Sequence, residues 1–296
     1  MLEEPNILRE IIGNVEDLDA RLIYADWLDE RGDPRGEFIR VQCELASLPH
    51  PILDAEREHA ERLTQRSNAL LREHFETWAS KLLDRGLRHS QIEFRCGDID
   101  GVSLNPENFK VVQDLETIAP LVRRFRFTSA EETVGSIQRW RPLERAVQIT
   151  FQFYEEIPQQ MKPLIETLQT LGKLRALCFN GNQLGNGLLR ALGDSQGFTS
   201  LCALDLEAIG MDDEGIAPLV SNPELVGRLV WLNLAFNRIT SVGTRTLVNS
   251  QAIDQLQNLR LRGNEILDTD IPSLRRRFGK ACDLVRLYDR FNRNSD

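Results

Sequence analysis

The architecture of the chain can be worked out from one stretch, Leu229-Val230-Trp231-Leu232-Asn233-Leu234-Ala235-Phe236-Asn237-Arg238-Ile239. Its spacing of apolar residues recurs in stretches that begin at Leu174, Leu201 and Leu256, which gives steps of 27, 28 and 27 residues. Four copies at a near-constant period indicate a repeat protein. Alternate strand positions then bury apolar side chains in a core that neighbouring units share, because one unit cannot bury that face alone.

Between these stretches, glycines recur at intervals of 28 residues, at Gly187, Gly215 and Gly243. Each glycine is followed by apolar residues at helical spacing, for example Ile216 and Leu219. Each unit is therefore predicted to form a strand, a turn and a helix.

Weaker copies of the pattern begin at Ala146, Val122 and Ile99, with steps of 28, 24 and 23 residues. We therefore expect one continuous right-handed solenoid from about residue 99. Apolar residues after the last full unit predict a C-terminal cap, and they are Leu284, Leu287, Tyr288 and Phe291.

These units resemble the longer, ribonuclease-inhibitor type of leucine-rich repeat. The resemblance implies an α/β fold, a leucine-rich-repeat solenoid with parallel strands on the concave side and helices on the convex side. We expect Asn182, Asn237 and Asn264 to hydrogen-bond backbone groups in adjacent turns, which lack other partners. Ile209 stands at this position in the second unit, so the row should be interrupted there.

Residues 1–85 lack the repeat and show helical periodicity instead. Leu18, Leu22, Ala25 and Leu28 follow the spacing of one helix, which Gly32 is placed to end.

Two further helices are predicted in this region. Asp33 and Pro34 are suited to the N-cap and the first position of a second helix, and a third carries an apolar stripe from Leu63 to Leu82. The three helices should form a small bundle.

The stretch from Arg21 to Arg40 is similar to the repeat-companion domain of bacterial leucine-rich-repeat proteins, and residues 94–102 resemble that family's passage into the first irregular repeats. The resemblance implies a helical module beside the repeats, without catalytic activity. The predicted domains are residues 1–85, 86–283 and 284–296.

Within that stretch, Tyr24, Asp26, Trp27 and Glu30 could serve in two ways. They could form a recognition surface, since Trp and Tyr are good interface anchors. Alternatively, the two aromatic residues close the bundle while the two acids solvate its face or pair with Arg31 and Arg35.

The composition excludes several classes of protein. A net charge of -9 and a pI near 5.2 over 296 residues oppose binding to nucleic acid or to an anionic membrane. No stretch approaches the ~20 apolar residues that span a bilayer. Five scattered cysteines without a CxxC pair indicate a reducing compartment, so a cytoplasmic protein is expected.

No catalytic, cofactor-binding or metal-binding residues are predicted. His50, His59, His74 and His89 show no metal-ligand spacing. The glycine-rich residues 181–187 lack the lysine of a phosphate loop, and residues 98–101 lack the further acids of a calcium loop. The chain is therefore predicted not to be an enzyme.

The repeat register predicts which side chains face outward on the concave surface. We expect a protein partner to bind there, since Trp and Arg dominate interface energies and mixed charge orients a partner. The predicted partner-binding residues are Asp205, Glu207, Trp231, Asn233, Asn258, Arg260 and Arg262. Alternatively, these acids and arginines neutralise one another while Trp231 packs on its neighbours.

The predicted function is thus that of a non-catalytic protein-protein interaction module. Two alternatives stay open at this point. Fold analogy allows a regulator of an enzyme such as a GTPase, and a mutually neutralised concave face would indicate a structural spacer. The sequence names neither the partner nor the oligomeric state.

Overall fold

The computed structural model describes residues 4–14, 17–48, 54–129, 135–138, 140–152, 158–279 and 282–283. The predicted C-terminal cap at 284–296 lies outside these residues, as does His50. The chain divides into two compact units. We call Met1–Ser103 with Glu107–Val122 the helical unit, and Leu104–Pro106 with Arg123–Asp296 the repeat unit. The domain boundaries predicted at 85 and 283 stay predictions.

The first half of the chain begins with helices and continues into a hairpin. The elements, in order, are α1 (Glu4–Gly13), α2 (Leu18–Asp29), α3 (Arg35–Ser47), α4 (Asp54–Leu83), β1 (Ile92–Arg95), β2 (Asp98–Leu104), α5 (Pro106–Val111) and α6 (Leu115–Ile118). Strands β1 and β2 pair antiparallel, and a short 3₁₀ helix, His89–Gln91, precedes them.

The three predicted helices correspond to α2, α3 and α4, whereas α1 was not predicted. The Asp17 carboxylate caps α2 by accepting backbone N–H bonds. The Asp33 carboxylate accepts the N–H of Arg35, although the structure places the N-cap of α3 one residue later, at Pro34. Such one-residue differences at helix ends are ordinary.

The buried face of α2 differs from the predicted one. Tyr24, Ala25 and Leu28 are buried as helical spacing requires, but Leu22 is exposed and Arg21 is buried in its place. The spacing of apolar residues alone therefore assigns the wrong buried face to α2, because the charged side chain of Arg21 lies in the interior.

The repeat unit alternates strands with helices. The elements, in order, are β3 (Arg124–Phe127), β4 (Gln148–Phe151), α7 (Pro158–Leu168), β5 (Ala176–Cys178), α8 (Gly185–Gly193), β6 (Ala203–Asp205), α9 (Asp213–Val220), α10 (Pro223–Val226), β7 (Trp231–Asn233), α11 (Ser241–Asn249), β8 (Asn258–Arg260), α12 (Ile271–Phe278) and β9 (Cys282–Asp283). A 3₁₀ helix, Arg141–Arg145, precedes β4.

Strands β3 to β9 pair parallel with their neighbours in chain order, which makes this part of the protein mixed α/β. The register aligns Leu177, Leu204, Leu232 and Leu259, all fully buried. The weaker units at Ala146 and Val122 also form parallel strands, as predicted. Each repeat of 27 or 28 residues therefore adds one strand to the parallel sheet.

The asparagine row bonds successive turns to one another, as predicted. The Asn182 amide donates to the carbonyls of Phe151 and Phe179, and the Asn264 amide donates to those of Leu234 and Leu261.

Asn237 makes the corresponding bonds in the third unit. Its amide donates to the carbonyls of Leu206 and Leu234, and its Oδ1 accepts the backbone N–H groups of Ile209 and Met211. Ile209 cannot donate from its side chain, so the row lacks a link at that unit.

Polar side chains also join the helix starts of adjacent units. Asp213 accepts the hydroxyl and N–H of Thr240 and the N–H of Gly243. Asn186 and Asp212 exchange two hydrogen bonds in the same way one unit earlier. The N-termini of α9 and α11 are thus capped in part by the preceding unit. Across the described ranges, no helix is both long enough and apolar enough to cross a membrane.

Candidate interaction surface

We call the side of strands β5 to β8 opposite the leucine core the open face. Side chains point to it from alternate strand positions and from the second residue after each strand. It consists of Ala176, Cys178, Asn180, Ala203, Asp205, Glu207, Trp231, Asn233, Ala235, Asn258, Arg260 and Arg262.

Trp231 is the largest side chain of the open face and is half-buried. Its register partners on the two neighbouring strands are Ala203 and Asn258. The Arg260 guanidinium carbon lies 5.4 Å from the centroid of the indole ring, within the range of a cation–π contact. Trp231 therefore packs on a neighbour and also keeps part of its ring accessible.

Glu207 and Arg262 approach each other across strand β7. Arg262 Nη2 and Glu207 Oε1 are 4.0 Å apart, the limit for an ion pair, and both side chains are about a third exposed. The Asn233 amide donates to Glu207 Oε2 over 2.7 Å. The carboxylate is thus held in place while its pairing with Arg262 stays loose.

Two residues expected to face solvent are buried. Asn233 is 1% exposed and Ala235 is fully buried. The Asn233 amide is occupied by Glu207, and its Oδ1 accepts the N–H of Ala235 over 3.1 Å. Asn233 is therefore covered on the open face, and its contact with a partner stays a prediction. Its side chain supports Glu207 from beneath.

Asp205 lies beside these residues and is half-buried. Burial raises the pKa of its carboxyl, and the charge of Glu207 adds to the rise. The N–H of Glu207, the Asn233 amide and the charge of Arg260 oppose it. Burial also raises the pKa of the neighbouring Cys178 thiol to about 11, so this thiol is not an activated nucleophile.

Asn258, Arg260 and Arg262 lie on β8 or just after it, and each is half-buried. The structure therefore brings the predicted acids, indole and arginines together on one face of three adjacent strands.

Phe236 is a further residue of this surface that sequence analysis missed. The Arg262 guanidinium carbon lies 5.2 Å from its ring centroid. Two aromatic rings from the β7 unit thus each meet an arginine from the β8 unit, since Trp231 meets Arg260 in the same way. We call Trp231, Phe236, Arg260 and Arg262 the aromatic–arginine cluster.

The backbone of Phe236 is left-handed, with φ of 55°. The equivalent residue of the other full units, directly before the asparagine position, is Gly181, Ala208 or Gly263, and each also has a positive φ. A bulky residue is uncommon there and costs on the order of 1–3 kcal/mol of strain. Aligning the units would have shown phenylalanine where two of the four have glycine.

Gly263 is required by the packing of this cluster. A Cβ atom at this residue would lie 2.4 Å from a ring carbon of Phe236, a distance at which the ring would have to shift. Its positive φ of 72° also favours glycine. The ring of Phe236 therefore rests on the backbone of the next unit.

Two arginines of the stretch from Arg21 to Arg40 have a structural role in the helical unit. Arg21 Nη1 donates to Asp98 Oδ2 over 2.7 Å and to the carbonyl of Cys96 over 2.9 Å. Arg35 Nη2 contacts the other oxygen of Asp98 at 2.5 Å, and its Nε donates to the Gly97 carbonyl. The two arginines thus fasten the hairpin turn to helices α2 and α3.

Tyr24 and Trp27 pack in the core of the helical unit, which is the structural role that the sequence allowed for them. Tyr24 is 1% exposed, and Trp27 stacks on it with ring centroids 6.0 Å apart. The Arg31 guanidinium carbon lies 3.7 Å from the Trp27 ring centroid. Asp26 pairs with Arg40 at 2.6 Å.

The histidines in the described ranges do not form a metal site. Nε2 of His59 lies 2.8 Å from the Glu44 carboxylate and Nε2 of His89 lies 2.7 Å from that of Glu76. Among the residues that the structure describes, side chains of three or more potential ligands do not gather around one point.

The chain matches no protein-family model and no curated protein. Among solved structures, it is similar to actin-binding site 2 of leiomodin-1, with 9% identity, a TM-score of 0.32 and coverage of 47% of this chain and 78% of that one. An internalin from Listeria monocytogenes matches with 14% identity, a TM-score of 0.32 and coverage of 58% and 62%.

A third solved structure, of a Bacteroides fragilis protein, matches with 12% identity, a TM-score of 0.35 and coverage of 76% and 85%. The internalin and the leiomodin are leucine-rich-repeat proteins. The fold of this chain is read from its own strand register and asparagine row, described above.

Proposed function

We propose that this chain is a non-catalytic interaction module that binds another protein through the open face of the repeat unit. The contacts are centred on the aromatic–arginine cluster, with Asp205, Glu207 and Asn258 at its border. The repeats are of the ribonuclease-inhibitor type and form a solenoid whose concave surface is the open face. Residues 1–85 are a repeat-companion domain, and the protein is a bacterial, cytoplasmic one.

One observation carries this proposal. Two aromatic side chains and two arginines from adjacent units lie together. The preceding unit has Ala203 and Ala208 at the positions of the two aromatic residues. Trp, Tyr and Arg are the residues that contribute most to measured interface energies, especially where they cluster. A structural spacer needs only small or charged residues there.

The strain at Phe236 supports the same conclusion. Left-handed backbone at a bulky residue is destabilising, and such strain concentrates at binding and catalytic sites. The carboxylate of Glu207, held by Asn233, adds a fixed negative charge beside the two positive ones. Mixed charge of this kind orients a partner more than it adds affinity.

The test compares immobilised wild-type chain with the Trp231→Ala chain. Proteins retained from a lysate of the source cells are identified by mass spectrometry, and the partner is one retained by the wild type and lost by the variant. Surface plasmon resonance should then show affinity weakened about 30-fold or more, since a central aromatic anchor contributes about 2 kcal/mol. The free energy of unfolding should change by about 1 kcal/mol or less, because the ring is half-exposed.

Two controls separate binding from folding. Phe236→Gly should weaken binding while relieving backbone strain, whereas Ala208→Gly makes the same backbone change without losing a ring and should leave affinity unchanged. Trp27→Ala, in the helical unit, should also leave affinity unchanged. Wild-type affinity in Trp231→Ala with lost binding in Trp27→Ala would place the site in the helical unit instead.

A further inference from the structure

Cys43 and Cys96 lie next to each other in the interior of the helical unit, although 53 residues separate them in the sequence. Cys43 is on α3 and is 2% exposed; Cys96 is in the turn between β1 and β2 and is 7% exposed. Both belong to one buried cluster, both are free thiols, and each shifts the pKa of the other. The remaining cysteines, Cys178, Cys202 and Cys282, belong to the repeat unit.

The turn that carries Cys96 is held firmly against α3. Gly97 donates its N–H to Oε1 of Gln42 over 2.8 Å, and Gln42 directly precedes Cys43 in the sequence. A Cβ atom on Gly97 would lie 2.0 Å from a side-chain carbon of Ile39, so only glycine permits this approach. Cys96 itself has a left-handed φ of 47°, a conformation that non-glycine residues seldom adopt. These contacts hold the residues on either side of Cys96 and Cys43 together.

The surroundings of Cys96 favour its thiolate. Interaction with the Cys43 thiol lowers the pKa of Cys96 in spite of burial, and the charges of Arg21 and Arg95 lower it further while Asp100 opposes them. The same interaction, burial and the charges of Cys96 and Asp98 raise the pKa of Cys43, which Arg21 opposes. Arg21 is fixed there because its Nη1 also donates to the Cys96 carbonyl.

We infer that Cys43 and Cys96 are a reversible redox site, at which a peroxide oxidises the two thiols to a disulfide between α3 and the β1–β2 turn. A low-pKa cysteine next to a second cysteine is the arrangement found in redox-sensitive sites. This site lies in the helical unit and does not rest on the proposed function.

The reaction balances with hydrogen peroxide as the oxidant. The Cys96 thiolate attacks one peroxide oxygen and the O–O bond breaks, which leaves a sulfenic acid on Cys96 and a hydroxide ion. The Cys43 sulfur then attacks the Cys96 sulfur, the S–O bond breaks, and water leaves as the disulfide forms. Two thiols are oxidised, one peroxide is reduced, and the protons of both thiols end in two water molecules.

The test uses the full chain, reduced and then treated with hydrogen peroxide. Free thiols are alkylated after denaturation, and peptides are mapped by mass spectrometry. A peptide that links Cys43 to Cys96 should form, and it should disappear on treatment with dithiothreitol. Cys43→Ser and Cys96→Ser should each abolish it, whereas Cys202→Ser, the matched control, should leave it unchanged.

A second measurement does not depend on the serine variants folding. The rate at which the wild-type chain forms the disulfide should reach half its maximum at a pH below the value of about 8.5 for an ordinary thiol. Arg95→Gln removes an exposed charge that favours the thiolate, so its rate profile should move to higher pH. Arg72→Gln, which changes another exposed arginine, should not move it.

The inference is overturned if both Cys43 and Cys96 are still alkylated after a peroxide treatment that fully oxidises glutathione in the same tube. It is also overturned if the oxidised chain links either residue to a cysteine of the repeat unit instead.

Discussion

Asp98 in the helical unit and Asn237 in the repeat unit are both side chains that hold backbone turns in the interior, but they do so with different chemistry. Asp98 is a buried carboxylate clamped by Arg21 and Arg35. Asn237 is an uncharged, buried amide that hydrogen-bonds at least four backbone groups.

The difference follows from what each site must join. In the repeat unit, equivalent turns stack one period apart, so a short neutral side chain can reach the turn before it, and the solution is repeated along the chain. In the helical unit, a hairpin turn must be joined to two helices that present long side chains. Buried ion pairs add little net stability over apolar packing, but removing one partner leaves a desolvated charge.

The largest effect should therefore come from the helical unit. Asp98→Asn removes one negative charge from the buried cluster around Arg21 and should lower the free energy of unfolding by about 3–5 kcal/mol. Urea denaturation followed by circular dichroism measures this loss. Asp26→Asn removes a carboxylate from the exposed pair with Arg40 and should cost about 1 kcal/mol or less. Equal losses for the two variants would show that the Asp98 cluster is not a buried one.

Asn237→Ala should have the next largest effect. It leaves buried carbonyls and the N–H groups of Ile209 and Met211 without their partner, and should cost about 2–3 kcal/mol. Unlike Asp98→Asn, it should cost the same at low and high salt, because no charge is involved. Urea titrations at two salt concentrations test both points. A marked salt dependence would contradict the distinction between the two units.

The smallest expected change in the free energy of unfolding is at Asp205, an acid of the open face. Burial destabilises its charged form. Asp205 Oδ1 accepts the N–H of Glu207, and Asn233, at the equivalent position of the next unit, accepts the N–H of Ala235 in the same way. An asparagine can therefore keep this hydrogen bond in Asp205→Asn. Since burial raises the pKa of Asp205, its favourable contribution is present at pH values below its unfolded pKa and is lost as pH rises through the folded pKa.

Asp205→Asn should therefore raise the free energy of unfolding at pH 7 by about 1 kcal/mol or less, and the gain should vanish near pH 3, where the carboxyl is protonated in both states. Urea midpoints of the two chains across this pH range provide the measurement. A gain that grows as the pH falls would have the wrong sign and would contradict burial as the cause.

Much of the repeat unit was predictable from the sequence because its contacts are periodic. The 27- and 28-residue steps predict the strand register, and the positions of Asn182, Asn237 and Asn264 predict the hydrogen-bond row with its gap at Ile209. Each of these contacts joins one unit to the next, so a pattern in the sequence and a contact in space have the same period.

The candidate surface was predictable only in part. Alternation along the strands identifies the side of Trp231, Arg260 and Arg262, but not how deeply each side chain is buried. Asn233 illustrates this, because Glu207 from the neighbouring strand covers it. The unusual backbone of Phe236 was present in the sequence as a phenylalanine in a position that two other units fill with glycine.

The periodic spacing of apolar residues predicts the repeat, its helices and the open side of the strands, because this spacing follows directly from local geometry. The contacts of Arg21 and Arg35 with Asp98, and the placement of Cys43 beside Cys96, are visible only in the folded structure. These contacts join residues 53 to 77 positions apart without any period, so they depend on how the helices and the hairpin pack, which no local pattern encodes.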